Sequence, residues 1–270
     1  MVEISKKYKI GTRRFGLINW VGAWTLYKKE VLRFLIVWIQ TIFSPLISSL
    51  LFLLVLSLAI GADRGNVLGV PFITFLAPGL ISMQVIQQSF SHSSSSFMIG
   101  KIQGNIVDIL YAPLSPAEVT ISISLAAVTR SVIIAIVSII TFKLLIDIKI
   151  TNYFSLITYT LLSSFILGNI GIIAGLWAEK FDHMATVTNF VIVPLSFLSG
   201  TFYSINRLPE LLQIISKANP FFYMIDGFRY SFIDQADGSI MIGLVYLSSL
   251  SFVSWFVTYL LYKKGYKIKS

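Results

Sequence analysis

The chain reads as an all-α integral membrane protein with six transmembrane helices, an amphipathic interface helix before them and a short re-entrant helical hairpin between spans 5 and 6. Three observations predict this. Apolar residues fill 56% of the 270 positions and charged residues only 12%, against roughly 25% charged in a soluble domain, and mean hydropathy is +0.81. Charge-poor runs of about the 20 residues that a bilayer core demands recur along the whole length. The basic residues gather beside these runs, most of them at the two ends of the chain.

Residues 1–33 carry eight Lys or Arg against two Glu, and Leu17, Trp20, Val21, Trp24 and Leu32 recur among polar positions. That pattern fits a helix lying in the interface with Trp20, Trp24 and Tyr27 at headgroup level; for residues 1–16 a plain basic flank fits as well. Span 1 covers 34–60, with Pro45 bending it, and span 2 covers 72–89. Span 2 holds Pro78-Gly79 and then Gln84, Gln87 and Gln88, amides that in lipid need protein or water as partners. From Ser91 the chain is first polar and then amphipathic, with Ile102, Ile106, Ile109 and Leu110 on one face and Pro113 ending it, so a surface helix over 100–110 is expected. Span 3, 119–142, carries Arg130 near its middle, where a charge costs about 2.5–3.5 kcal/mol on insertion scales. Gln84, Gln87 and Arg130 are therefore the candidates for lining a polar path.

Span 4 is 153–177, where Gly168, Gly171 and Gly175 would let a neighbouring helix approach closely. Span 5 is 184–203. Two pieces too short to cross follow it, 207–218 and 219–232. The first sets Leu208, Leu211, Leu212 and Ile215 at helical spacing, and the second opens with Asn219-Pro220, an N-cap residue before the proline favoured at the first helical position. Span 6 is 240–262, and 263–270 is a basic tail. An even number of spans puts both tails on one side, which then holds fourteen Lys or Arg against six on the other. The positive-inside rule makes that side cytoplasmic and turns the 207–232 hairpin outward. The 270 residues form one domain: a cytoplasmic basic segment 1–33, a bundle 34–262 and a cytoplasmic tail 263–270.

Several chemistries are excluded. There is no cysteine, hence no disulfide or thiolate. The only histidines, His92 and His183, lie in separate segments, so no metal site is expected. No Asp or Glu lies inside any of the six spans, which disfavours an ion-coupled carrier. No phosphate-binding G-x-x-x-x-G-K-[ST] run occurs, Gly100-Lys101 lacking its flanks, so the chain carries no nucleotide cofactor and is not itself the ATPase. The net charge of +9 points to anionic lipid rather than nucleic acid, because the basic residues flank apolar spans. Two other readings stay open: a membrane-embedded enzyme or scaffold acting on lipid-linked substrates, whose only acidic and His approach is Glu179, Asp182 and His183, and a passive channel.

The string FLSGTFYSINRLPELLQIISKANPFFYMIDGFRYSF, with Pro194 just before it, resembles the C-terminal signature of the ABC-2 type transporter permeases, and in particular their YadH-like subfamily of bacterial inner-membrane permeases. Pro194, Ser199-Gly200, Phe202, Leu208-Pro209, Asn219-Pro220 and Arg229 stand in the family's order and spacing, and the likeness extends over nearly all 270 residues. The resemblance implies a permease subunit of an ATP-driven exporter in the bacterial inner membrane, paired with a second copy and with two ABC ATP-binding subunits that hold the ATP and magnesium. It implies that Glu30 and Arg33, and then Lys101, Asn105, Ile106, Asp108 and Leu110, form the surface coupled to the ATPase. It further implies that Pro209, Asn219, Pro220 and Arg229 form the outer gate, with Arg229 held by the partner copy, a lipid headgroup or a nearby carbonyl.

Overall fold

The computed structural model describes residue 16, residues 18–60 and residues 65–268. The basic stretch 1–15 and Leu17, both within the expected interfacial segment, lie outside the described residues, as do 61–64 and 269–270.

Helix α1 (Trp20–Ile36) opens on Asn19, whose Oδ1 accepts the Gly22 N–H at 2.9 Å and so satisfies one of the donors that every helix start leaves free. It has the two faces expected of an interfacial helix: Trp20, Val21 and Trp24 are exposed while Leu26, Glu30 and Phe34 are buried. The chain bends at Val37. Thr41 Oγ1 donates to the carbonyls of Phe34 and Val37 at 2.9 and 3.1 Å, and one turn of π-helix, Ile39–Phe43, leads into α2 (Ser44–Ile60). Pro45 explains that turn: it has no N–H to give and its ring crowds the preceding turn, so the ladder widens and the Ser44 N–H reaches back to the Ile39 carbonyl. Residues 34–38 thus belong to α1 and the bend, and the first apolar crossing is Ile39–Ala59 rather than 34–60.

A two-stranded hairpin, β1 (Asn66–Val67) and β2 (Val70–Pro71), turns on Leu68 and Gly69, both at positive φ. The next helix departs from expectation. Span 2 and the first residues of the surface helix are one element, α3 (Phe72–Ile102), 31 residues long with twenty of them buried. It breaks at Gly104, at φ 75°, and a six-residue helix, α4 (Ile106–Tyr111), follows. The expected single helix over 100–110 is therefore two pieces, because only glycine takes that backbone conformation at no steric cost.

Helix α5 (Pro116–Leu145) begins with a capping box: Glu118 Oε2 accepts the Ser115 N–H at 2.6 Å while Ser115 Oγ accepts the Glu118 N–H at 3.3 Å. Then come α6 (Tyr153–Trp177), capped by Asn152, and α7 (Phe181–Val187), a second π turn at Thr188–Ile192 and α8 (Val193–Leu198). Pro194 produces the second π turn as Pro45 does the first. Helices α9 (Glu210–Ala218) and α10 (Pro220–Ile233) meet at Asn219, and α11 (Ile240–Lys263) ends the bundle.

Among the described residues five helical segments are long and apolar enough to cross a membrane: Ile39–Ala59, Pro116–Leu145, Tyr153–Trp177, Phe181–Leu198 and Ile240–Lys263. Helix α3 is not among them, since its amides and serines dilute its apolar residues. It occupies the middle of the bundle instead, against α2, α5, α6 and α10. Lipid tails are as apolar as leucine, so contact between membrane helices depends on close packing and internal hydrogen bonds. The glycines of α6 supply the first: a Cβ on Gly171 would stand 2.5 Å from the Phe90 carbonyl oxygen, and one on Gly175 2.8 Å from Phe97 Cβ. The expectation that these glycines admit a neighbour holds: it is α3 at Gly171 and Gly175, and chiefly α5 at Gly168, where a Cβ would stand 3.2 Å from Ala127 Cβ.

A second, smaller core of Leu26, Phe97, Ile106, Val119, Leu176, Tyr262 and Ile268 joins α1, α4 and the end of α11 at one end of the bundle. At the other end Asp237 accepts from Ser204 Oγ, Ile205 N–H and Asn206 Nδ2 at 2.5, 3.0 and 2.9 Å, and Arg207 reaches the Asn66 carbonyl at 3.5 Å.

Candidate functional site

Three expected path residues come together. Gln84, Gln87 and Arg130 line one cleft of about 690 Å³ between α2 and α3, with α5 behind it, a volume within the usual range for small-molecule sites. The helical repeat builds it: on α3, Gln84, Gln87, Gln88, Ser91 and Ser95 recur at steps of three or four, and along the π turn and α2, Gln40, Ser44 and Ser48 do the same. The α2 stripe was not singled out from sequence, although its spacing of four was legible there. Arg33 and Ile99 mark the α1 end of the cleft, and Phe52, Leu80 and Phe202 the β-hairpin end. Arg130, 6% exposed, donates through Nη2 to Gln88 Oε1, while its Nε and Gln87 Nε2 are buried with no hydrogen-bond partner among the described residues. A buried amide or guanidinium is costly unless bonded, so these groups are poised to bind something polar.

At the end holding α1 and α4, the residues of the expected ATPase-coupled surface divide. Glu30 is 1% exposed and accepts from Ser96 Oγ at 2.8 Å and Arg33 Nε at 3.0 Å, while Arg33 also donates to the His92 carbonyl at 3.0 Å. This clamps α1 to α3 and takes the Glu30 carboxylate away from any surface. Lys101 is also turned inward: its Nζ donates to the carbonyls of Gly175, Leu176 and Ala178 at 3.1, 2.7 and 2.5 Å, closing the C-terminal end of α6. Ile106 lies in the smaller core and Leu110 packs partly against it. Asn105 and Asp108 are exposed, as are Ile102, Val107 and Tyr111, so of the apolar face the sequence pattern suggested only Ile102 is fully outward. A stripe of period 3.6 identifies a buried face without saying whether this chain or a partner covers it.

Glu118 went unnoticed in the sequence. Beyond its capping box, its Oε1 accepts the Asn19 N–H at 2.6 Å, tying the start of α1 to the start of α5. Nearby, the exposed Glu179 carboxylate accepts from Lys267 Nζ at 2.7 Å. That hydrogen bond and the lysine's charge hold the carboxyl below its usual range, and the same bond with the carboxylate's charge raises the lysine above its own.

At the opposite end, Arg229 is buried, and of the three holders expected for it the carbonyls are the ones found: Nη2 donates to Gly200 and Thr201 at 2.7 and 3.2 Å. Its guanidinium also sits 3.9 Å above the Phe75 ring. Gly79 makes room for it, since a Cβ there would meet Arg229 Nη2 at 2.8 Å. Asn219 caps α10 by accepting the Phe221 N–H at 3.1 Å and donates to Ser199 Oγ and the Leu195 carbonyl at 2.8 and 3.2 Å. Pro220 is the first residue of α10, and Pro209 precedes α9, whose Leu211, Leu212, Ile214 and Ile215 face outward.

The chain is 31% identical over 220 residues to the inner membrane transport permease YadH of Escherichia coli K12, covering 82% of this chain and 86% of that one. Nodulation protein J of Rhizobium leguminosarum bv. viciae is 24% identical over 234 residues, 84% of this chain and 86% of the relative, and its counterpart in Sinorhizobium fredii 19% identical over 241 residues, 89% and 91%. The family signature of the ABC-2 type transporter matches residues 22–233, from α1 to the last residue of α10. With most of its length matched, buried arginines inside an apolar bundle and a polar cleft between its helices, this chain belongs to the ABC-2 type transporter family and is a transport permease subunit.

Proposed function

We propose that the chain is the membrane half of an ATP-driven exporter in a bacterial inner membrane, working as a pair of copies driven by two ABC ATP-binding subunits. Helix α3 is the sixth crossing, and both chain ends are cytoplasmic. The observation that carries this reading is the polar cleft between α2 and α3, in a chain whose family works with separate ATP-binding subunits. Cargo enters that cleft, and the ATP-binding subunits push on the end formed by α1 and α4. The clamp from Glu30 and Arg33 to α3, and the tie from Asn19 to Glu118 on α5, would pass that push to one wall of the cleft and to the helix behind it. The α9–α10 hairpin re-enters the membrane and closes the outer end, latched by Arg229 and Asn219.

The test is purification from a host that also expresses candidate ABC ATP-binding subunits. Retention of one of them at equal stoichiometry, with ATP turnover that changes on adding this chain, is expected. A chain that holds no such subunit and passes solute without ATP would be a channel, and the reading would be wrong.

A further inference from the structure

The cleft has an uncompensated positive charge at membrane depth. Of its two arginines, Arg33 is neutralised by Glu30 at 3.0 Å. Arg130 is not: no carboxylate of the described residues lies within ion-pair distance, and its one hydrogen bond is to the neutral Gln88. It stands fourteen residues into α5, about 21 Å along the helix at 1.5 Å per residue. The helices that line the cleft do not supply the missing charge, since α2 and α3 contain no Asp or Glu and α5 contains only Glu118 in its first turn. A buried charge persists when something pairs with it. Beyond Arg130 the cleft ends in Phe52, Leu80 and Phe202, and the outer flank of α2 exposes Leu51, Leu54 and Leu58.

Resting on the transport reading above, we propose that the cargo is an anionic amphiphile: a molecule with a phosphate or carboxylate in its polar part, taken by Arg130, and an apolar part lying toward Phe52 and Phe202. Guanidinium meets such oxygens through strong charge-assisted hydrogen bonds, and the unpartnered Gln87 amide beside it has a donor to add. With Arg33 paired to Glu30 and the rest of the lining uncharged, no second charge requirement is set, so the discrimination rests on one residue.

The absence of cysteine in the chain gives the test. Ser91→Cys, in the full chain bound to its ATP-binding subunits in phosphatidylcholine nanodiscs, is alkylated by a soluble maleimide with submicellar lyso-phosphatidylglycerol, lyso-phosphatidylcholine of the same acyl chain, or glycerol phosphate. The anionic lysolipid should protect at about tenfold lower concentration than the zwitterionic one, the size expected for one charge-assisted contact. Glycerol phosphate should protect poorly. Arg130→Lys should keep the preference. Gln88→Glu, which gives Arg130 an internal partner without removing it, should abolish it. Equal protection by both lysolipids would overturn the charge requirement while leaving the cleft as the path. Protection by glycerol phosphate as good as by the lysolipid would overturn the amphiphile. If neither lysolipid protects, and full alkylation of the Ser91→Cys variant leaves ATP turnover unaltered, both the proposal and the path reading fail.

Discussion

Arg229 and Arg130 are both buried arginines in an apolar bundle, and their partners give them different work. Arg229 directs its charge to two carbonyls and a phenylalanine ring at the turn after α8. Replacing it with alanine should loosen that turn from α10 and raise ATP turnover in the absence of cargo, with assembly intact; a variant with unchanged basal turnover would reduce the α9–α10 hairpin to an anchor. Glu30 is a clamp of the same kind at the other end. Glu30→Gln keeps the shape but weakens the bonds to Arg33 and Ser96, at a cost of about 1–3 kcal/mol for a buried charged acceptor. It should lower the thermal midpoint of the purified complex, measured by size-exclusion after heating, and an unshifted midpoint would show the clamp to be idle. The Glu179 and Lys267 pair sets a pH dependence. Its acid has a lowered pKa, so its contribution is complete above the ordinary carboxylate value and is lost as pH falls through the lowered one. Hydrogen-exchange protection at 265–268, taken relative to the intrinsic rate at each pH, should therefore be present at neutral pH and be lost only below the ordinary carboxylate range, and salt should weaken the effect because both groups are exposed.

At the scale of elements, α6 and α3 lie so close that side chains cannot be inserted between them. Gly171→Leu would push a branched side chain into the Phe90 carbonyl and cost at least about 1–3 kcal/mol, as overpacked cores do; the variant should express as aggregate, and a monodisperse, active product would mean that this contact is looser than drawn. The α4 segment offers a sharper contrast. Ile106 is buried and Val107 is exposed one residue later. Ile106→Asp should damage folding of the chain itself, whereas Val107→Asp should leave it monodisperse and reduce retention of the ATP-binding subunit in a pull-down. Identical behaviour of the two variants would take α4 out of the coupling surface.

For the whole molecule, the grouping of α1, α4 and the end of α11 around one small core places the two described chain ends on one side of the bundle. With α3 crossing, impermeant maleimide on intact cells should label a cysteine at Asn206, which is exposed at the opposite end, and should leave one at Lys264 unlabelled until the cells are opened. The reverse pattern would invert the orientation, and labelling of both would break the even span count. Asn206 is a better reporter than Ser204, which is buried against Asp237.

Composition and run length by themselves determined that the protein is helical and membrane-embedded, because the bilayer leaves no other way to satisfy the backbone of such long apolar stretches. Local rules placed the cap at Asn219, the distortion at Pro45 and the close-packing glycines of α6, since each depends only on the residues a turn away. The grouping of Gln84, Gln87 and Arg130 was legible too, as polar groups that could not face lipid. What only the tertiary structure decided is who satisfies whom. Glu30 and Lys101 look like surface charges in a linear reading, yet each also finds a partner more than 60 residues away on another helix. Ile106 shows the same limit from the apolar side. Helix α3 was cut in two by a hydropathy rule that measures affinity for lipid, whereas its serines and amides are buried against protein, where hydrogen bonds and close packing replace the lipid as its solvent.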